Sequence, residues 1–236
     1  MMDTIIVGKF LGVSALASVG ATGSINFMII GFCMGVCNGF AIPVAQRFGA
    51  KDEHGMRKFV ANSVWLSIIF AVVMAVLVCV FCRQILELMN TPEDIIDGSY
   101  SYIFVIFLGI PATYMYNLLS GIMRSLGDSK TPLYLLIFSS ILNIILDLLS
   151  IIVLKMGVAG AAWATVIAQA VSGFCCLGVI WKKFPILHVQ REEWQPDKLC
   201  ILNLCNMGIP MGLQYSITAI GSVIIQAAVN SLGSVA

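Results

Sequence analysis

The sequence predicts an all-α integral membrane protein, and three observations support this fold class. Hydrophobic residues make up 59% of the 236 residues and charged residues only 11%, against roughly 25% charged in an ordinary soluble domain. The mean hydropathy is +0.97. The few charges are clustered, and the stretches between them are long enough to cross a bilayer, which takes about 20 apolar residues. We therefore expect the lipid bilayer to be the main surrounding of this chain.

Six apolar stretches predict six complete membrane spans. Five hold no charged residue and one holds a single acid, Asp147. The stretches are residues 10–46, 59–82, 98–123, 131–154, 156–181 and 199–236. At about 1.5 Å per residue, the first is too long for one crossing. Its early part, LGVSALAS, is expected to form a loop and turn before a helix that ends near Pro43.

Residues 1–8 have the composition of the last turns of an earlier helix. Eight residues cannot cross a bilayer, and the segment lacks the basic n-region and the longer apolar region of a signal peptide. We expect the chain to be a fragment that begins inside a helix.

The distribution of basic residues predicts the orientation. Ten of the 13 lysines and arginines lie in the loops 47–58, 122–132 and 182–198, and three lie on the opposite side. Because basic residues accumulate in cytoplasmic loops, these three loops are expected in the cytoplasm of a multi-pass plasma membrane protein. The net charge of +1 gives no reason to expect a nucleic acid partner.

The eight cysteines and two histidines do not indicate enzyme chemistry. Most cysteines lie in apolar helices, where Cys behaves as a small hydrophobe. The CVFC run at 79–82 has CxxC spacing but no histidine partner, so a redox or zinc role is not favoured. His54 and His188 lie in charged loops and are expected to be solvated. With no histidine in a span and no visible nucleophile-base pair, we predict no catalytic residue and no enzyme activity.

The two ends of the chain resemble each other weakly. IIVGKFLGVSALA, starting at Ile5, aligns with IIQAAVNSLGSVA, starting at Ile224. The first and seventh helices would also share an orientation, as expected for repeats of six helices. The sequence therefore predicts a first six-helix lobe at 1–198, with its first helix truncated, and the start of a second lobe at 199–236. The native protein would have about twelve helices in two pseudo-symmetric lobes.

Two acids are placed inside the membrane, where a charge costs about 2.5–3.5 kcal/mol and is a functional candidate. Asp147 lies in the fifth helix, and Asp3 lies in the first. Asn143 is one helical turn before Asp147, and Thr165 on the next helix adds a hydroxyl. These oxygens are suited to a small hard cation, sodium included, or to a proton in its place. The alternative is that Asn143 and Thr165 bond neighbouring backbone while Asp147 reaches outward.

A substrate cleft is harder to predict, because methionine and aromatic side chains in membrane proteins mostly face lipid or other helices. Such side chains also adapt to amphipathic aromatic cations. The candidates for substrate contact are Met28, Tyr114, Asn117 and Ser120. Kinks at Pro43 and Pro111 would help the helices to bend.

Five segments, in order along the chain, resemble the multidrug and toxic compound extrusion (MATE) family of secondary transporters. They are DTIIVGKFLG from Asp3, AQRFGA from 45, RSLGDSKTP at 124–132, NIILD at 143–147 and GVAGAAWAT at 157–165. The resemblance implies two six-helix lobes around a cleft that opens alternately to each side. It also implies efflux of organic cations or other amphipathic compounds in exchange for sodium or protons, with no cofactor besides the coupling ion. The full-length protein is expected to be a monomer.

The branch similar to the DinF proteins suggests where the ion binds. Its pattern carries over onto Asp3, Asn143, Asp147 and Thr165 as the cation-binding residues, with sodium as a possible metal. Another branch uses an acid on the seventh helix, and residues 199–236 contain none. The chain departs from the family at its start, where the upstream half of the first helix is absent.

Two alternatives stay open from the sequence. A lipid-linked oligosaccharide flippase of the same superfamily would line its cleft with basic residues for the pyrophosphate, and here the 13 lysines and arginines lie in loops or at helix ends. A non-transporting assembly subunit would need no acid inside the membrane and should tolerate Asp147→Asn.

Overall fold

The computed structural model describes residues 2–88 and 91–231, with side chains given for 4–88, 91–93 and 95–221. Within these ranges every regular element is helical. The α-helices are α1 Met2–Leu11, α2 Val13–Gly49, α3 Glu53–Val80, α4 Cys82–Leu88, α5 Glu93–Leu108, α6 Ile110–Ser125, α7 Lys130–Leu148, α8 Gly157–Lys183 and α9 Lys198–Ser231. A π-helical turn, Leu149–Val153, follows α7, and two 3-10 turns, Pro185–Leu187 and Arg191–Trp194, lie before α9.

The helices correspond to the apolar stretches of the sequence. Within the described residues, four are long and apolar enough to span a bilayer: α2, α3, α7 with its π turn, and α8. A fifth span forms if α5 and α6, which meet at an angle of 45°, are taken together. The last predicted span corresponds to α9, a helix of 34 residues. The all-α class of the sequence-based prediction is therefore confirmed.

The loop predicted at LGVSALAS is shortened to one residue, because Leu11 ends α1 and Val13 already begins α2. The chain turns at the single residue Gly12, whose φ of 87° is a left-handed conformation that glycine adopts without steric cost. The turn folds α1 back against α2, where a side chain at Gly8 would contact Leu16. As a result α2 has 37 residues and a length of about 56 Å, well beyond the hydrocarbon core.

The two prolines in the spans behave differently. At Pro111 the predicted kink is confirmed: the chain bends between α5 and α6 at Gly109, and Pro111 lies in the first turn of α6, where no backbone N–H is required. Pro43 lies inside α2, which continues to Gly49.

The beginning of α9 packs directly on the middle of α2. Gly39 of α2 faces Gly208 of α9, and a Cβ at Gly39 would lie 2.6 Å from the carbonyl oxygen of Met207. Small residues at such a crossing let two helix backbones approach, as in other membrane helix pairs. The helix predicted to open a second lobe thus packs against α2 and α3. The division between lobes at residue 198 remains a prediction.

Candidate cation site and polar cavity

The helix α7 presents a polar stripe to the inside of the bundle. Asp147 is completely buried, although Ile141 and Ile145 on the same helix are more than half exposed. Asn143 lies one turn before Asp147, and Ser139, also buried, lies one turn before Asn143. The carboxylate therefore faces neighbouring helices, and the alternative in which Asp147 reaches outward is wrong.

The amide of Asn143 meets the hydroxyl of Thr165 on α8. The Asn143 Nδ2 donates to Thr165 Oγ1 at 3.2 Å, and Thr165 Oγ1 donates to the Ala161 carbonyl at 3.1 Å. This arrangement uses the nitrogen of the amide and leaves its oxygen for another partner. The structure thus brings Asn143 and Thr165 into contact and places Asp147 one turn away on the same face.

The fourth predicted cation ligand, Asp3, has a side chain outside the described residues. Its backbone belongs to α1, which contacts α7, α8 and the π turn after α7. The next residue, Thr4, lines a cavity that Thr165 also lines. The helix that carries Asp3 therefore packs against α7 and α8, the two helices that carry the other three predicted ligands.

A polar cavity of about 320 Å³ adjoins this site, which is within the usual size range of small-molecule sites. Its walls come from α1, α2, α5, α6 and α8, and no charged side chain is among the lining residues that the structure describes. The lining residues are Thr4, Val19, Gly20, Thr22, Gly23, Asn26, Ile30, Tyr102, Ile106, Thr113, Thr165, Val166 and Gln169. The side-chain oxygens of Asn26 and Gln169 are buried and accept no hydrogen bond from the described residues.

The four residues predicted for the substrate cleft do not line this polar cavity, and their role in substrate binding stays a prediction. Tyr114 and Ser120 are buried, with 1% and 3% of their surfaces exposed. Asn117 donates to the Thr113 carbonyl at 2.8 Å, and Met28 packs against the apolar core. None of the four is among the described lining of the polar cavity.

Sequence reasoning missed the cavity residues Asn26 and Gln169. A signal for them was present, because each is an amide inside a charge-free apolar stretch. Polar side chains at such positions face the bundle interior or a cavity in preference to lipid.

A second group of polar contacts lies at the end of the molecule that carries the three basic loops, called here the basic end. Glu193, only 1% exposed, accepts hydrogen bonds from Arg57 Nε at 2.9 Å and from the Gln190 backbone N–H at 2.8 Å. His54 Nδ1 lies 2.8 Å from the same carboxylate. Burial raises the pKa of Glu193, but these bonds outweigh it and hold the pKa below its ordinary value.

The same end contains a clasp between the loop before α7 and the end of α8. Lys183 Nζ donates to Asp128 Oδ2 at 2.6 Å and to Thr131 Oγ1 at 2.9 Å. The Lys183 bond, followed by those from Thr131, lowers the pKa of Asp128 well below its usual range. The clasp joins the ends of the two helices that carry the predicted cation ligands.

Among the described side chains, no three His, Cys, Asp or Glu residues come together in a group that could hold a metal. All eight cysteines are free thiols, including both members of the CVFC run. A cation near Asp147 would therefore need the amide and hydroxyl oxygens of Asn143 and Thr165, hard ligands of the kind that small cations prefer.

A bundle of membrane-spanning helices with a buried acid and a polar cavity is the arrangement expected of a membrane transporter, and comparison with known proteins identifies the family. The MatE family model matches residues 1–149. The probable multidrug resistance protein YoeA of Bacillus subtilis (strain 168) is 32% identical over 244 residues, which is 99% of this chain and 52% of that protein. The chain belongs to the MATE family of multidrug transporters.

Further relatives agree with this assignment. The multidrug export protein MepA of Staphylococcus saprophyticus is 25% identical over 96% of this chain and 51% of that protein. An inward-facing MATE transporter of the MOP superfamily superimposes with a TM-score of 0.85 at 26% identity, covering 93% of this chain and 50% of that one. The chain thus spans about half the length of the relatives it matches.

Proposed function

We propose that this chain forms the ion-coupling part of a multidrug efflux antiporter, which exports amphipathic organic compounds in exchange for sodium or protons. The names of the relatives support export of several drugs, since both YoeA and MepA are described as multidrug proteins. The proposal for this chain's own site depends on one observation. Thr165 belongs both to the predicted cation site and to the wall of the polar cavity.

Each residue of the site has a role in this proposal. Asp147 supplies the negative charge that attracts the cation, and Asp3 on the adjacent helix supplies a second. The oxygen of Asn143 and the hydroxyl of Thr165 complete a set of hard oxygen ligands. When a proton is the coupling ion, it resides on one of these carboxylates.

The shared residue explains how ion and substrate influence each other. A cation that recruits the Thr165 hydroxyl competes with the bond from Asn143, 3.2 Å long. The side chain then shifts, and with it one wall of the cavity. Ligand and ion would thus bind to different arrangements of α7 and α8, which is the condition for a coupling free energy between two sites.

The cavity indicates the class of substrate. Its described lining is polar but uncharged, and the oxygens of Asn26 and Gln169 can accept hydrogen bonds from amine or ammonium groups. A pyrophosphate-linked lipid would need basic partners, which this lining lacks. Amphipathic compounds with a donor group, organic cations among them, fit better.

Orientation and energy supply follow from the charges. With the loops 47–58, 122–132 and 182–198 in the cytoplasm of the plasma membrane, the ion moves inward as the substrate moves out. For an uncharged substrate, one elementary charge crossing about 100 mV supplies about 2.3 kcal/mol, enough for a gradient of roughly fiftyfold. When a monovalent organic cation leaves in exchange for one ion, no net charge moves, and the concentration gradient of the ion supplies the energy.

The test is efflux of ethidium and a second cationic dye from cells that express the native transporter containing this chain. Asp147→Asn is compared with the exposed control Asp97→Asn at equal membrane expression. We expect the control to export and Asp147→Asn to lose export. Equal export by both variants would contradict the cation site, and absence of export by the unmodified protein for every dye tested would contradict multidrug efflux.

The coupling ion is identified by the same assay in proteoliposomes. An inward sodium gradient at constant pH and an inward proton gradient without sodium are imposed separately. One of the two gradients should drive export by the unmodified protein. Neither gradient should drive export by Asp147→Asn. Export that continues without either gradient would exclude antiport.

A further inference from the structure

An apolar groove lies on the outer surface of the lobe between α3, α6 and α8. It consists of two cavities, of about 340 Å³ and about 390 Å³, which share the lining residues Val64, Leu119 and Leu177. On α3 the lining extends from Val60 to Val72, a distance of about 18 Å along the helix axis. The groove is therefore long and narrow and runs roughly parallel to the spans.

The groove is separate from the cation site and from the polar cavity. Its described lining contains no residue of α1, α2, α7 or α9. Ile68 and Val72 on one rim and Leu177 on the other are about half exposed. The groove thus opens away from the contact between α2 and α9, on a face where hydrocarbon is the solvent.

The end of the groove nearest to the basic end has a different character. Trp181 and Trp194 line it together with His188, and the two tryptophans are 70% and 41% exposed. Exposed tryptophans at the end of a span are typical of the headgroup level of a bilayer. The groove therefore begins at the membrane interface and continues into the hydrocarbon region.

The charges beside this mouth favour an anionic headgroup. Lys182 and Arg191 are exposed on either side of the segment that carries His188, while Lys183 is already held by Asp128. Glu192 is the exposed acid next to Arg191. Basic residues at the headgroup level attract acidic lipids.

We infer that this groove binds one acyl chain of an anionic phospholipid from the leaflet at the basic end. The chain lies along Val64, Leu119 and Leu177, and the headgroup phosphate lies between Lys182 and Arg191. The almost purely apolar lining excludes water, so an ordered chain fills space that would otherwise be empty or occupied by mobile lipid. This inference does not depend on the proposed transport function.

The test uses the native transporter in nanodiscs with a phosphatidylglycerol that carries a photoactivatable group in its acyl chain. Labelled peptides are mapped by mass spectrometry. Labelling of residues 111–119 should exceed labelling of the exposed face of α7 at 133–145. The substitution Leu177→Trp, on the rim of both cavities, should lower labelling of residues 111–119 several-fold. The matched control is Phe174→Trp, one turn away on α8 and exposed outside the groove.

A second pair of measurements tests the headgroup. The double variant Lys182→Gln with Arg191→Gln should lose the preference for phosphatidylglycerol over a photoactivatable phosphatidylcholine while keeping acyl-chain labelling. Equal labelling of 111–119 and 133–145, unaffected by Leu177→Trp, would overturn the acyl-chain site. Loss of labelling on addition of an exported dye would show that substrate occupies the groove, and this result would also overturn the acyl-chain site.

Discussion

Among the side chains that the structure describes, two acids are almost completely removed from solvent, and their surroundings differ. Glu193, in the segment before α9, is bound by Arg57, His54 and a backbone N–H. Asp147, in a membrane span, lies one turn from an amide that bonds a threonine hydroxyl, and the spanning parts of α7 and α8 contain no basic residue. The Glu193 carboxylate is bound by a basic side chain, and the Asp147 carboxylate lies on the polar face of α7 that also carries Asn143.

The difference separates two uses of a buried charge. An arginine beside a carboxylate satisfies it permanently and joins two segments, here α3 and the connector to α9. Neutral oxygens beside a carboxylate leave a negative charge that a mobile cation or proton can neutralise. We therefore expect Glu193 to stabilise the folded protein and Asp147 to bind the coupling ion during transport. The predictions below test these two roles.

The largest expected effect is that of Asp147→Asn on transport. Removing the charge should abolish the ion-driven gradient of the substrate. Because a neutral amide is less costly to bury than a carboxylate, the melting temperature should stay equal or rise. Steady-state dye accumulation measures the substrate gradient, and thermal unfolding of the same preparations measures the melting temperature. A loss of transport that follows a loss of folded protein would mean that Asp147 is structural.

The sequence predicted Asp147 and its neighbours because the relevant information is local. A single acid in an apolar stretch, with Asn143 four residues before it, is visible without any knowledge of packing. Thr165 required only the adjacent span and the family resemblance. The one-residue turn at Gly12 was not predictable in the same way, because its neighbours LGVSALAS contain small and polar residues that suit a loop or a helix.

Glu193 illustrates what the sequence did not provide. Its partners Arg57 and His54 are 136 and 139 residues away in the chain, and the whole region appeared to be a solvated basic loop. Only packing shows that Trp194 contacts Trp65, with ring centroids 6.4 Å apart, and draws the acid against α3. The polar cavity was missed for the same reason, since five helices contribute to its walls.

The second expected effect is that of Glu193→Gln on stability. The Arg57 guanidinium would lose its charged acceptor and keep only Glu53 at 3.5 Å, so the free energy of unfolding should fall by about 1–3 kcal/mol. Transport per folded molecule should be unchanged. Thermal unfolding in detergent measures the first quantity and dye efflux normalised to folded protein the second.

The matched control for this change is Glu192→Gln, which alters the neighbouring but exposed acid. It should leave the melting temperature unchanged. Equal destabilisation by the two variants would show that the net charge of the connector matters and the bonds of Glu193 do not.

A smaller effect is expected for Thr165→Val, which keeps the shape of the side chain but removes the acceptor of the Asn143 bond. Loss of one ligand or orienting group should weaken the apparent affinity for the coupling ion by about tenfold. The ion concentration at half-maximal efflux is the measurement. Ser139→Ala is the control, since it removes a bond between α7 and the Ala168 carbonyl of α8 at a distance from Asp147. A comparable shift in the control would assign the effect to helix packing.

The smallest effect is expected for the clasp of Asp128 and Lys183, whose lysine is 55% exposed. Exposed ion pairs contribute about 0–1 kcal/mol, so Asp128→Asn should lower the melting temperature only slightly at neutral pH. The pKa of Asp128 is lower in the folded state than its ordinary value of 3.8. Its contribution is therefore complete above that pH and is lost as the pH falls towards the folded-state pKa. The melting temperatures of the native protein and of Asp128→Asn should converge as the pH is lowered below 3.8, whereas a difference that persists in acid would mean that the bonds to Thr131, and not the charge, stabilise the loop.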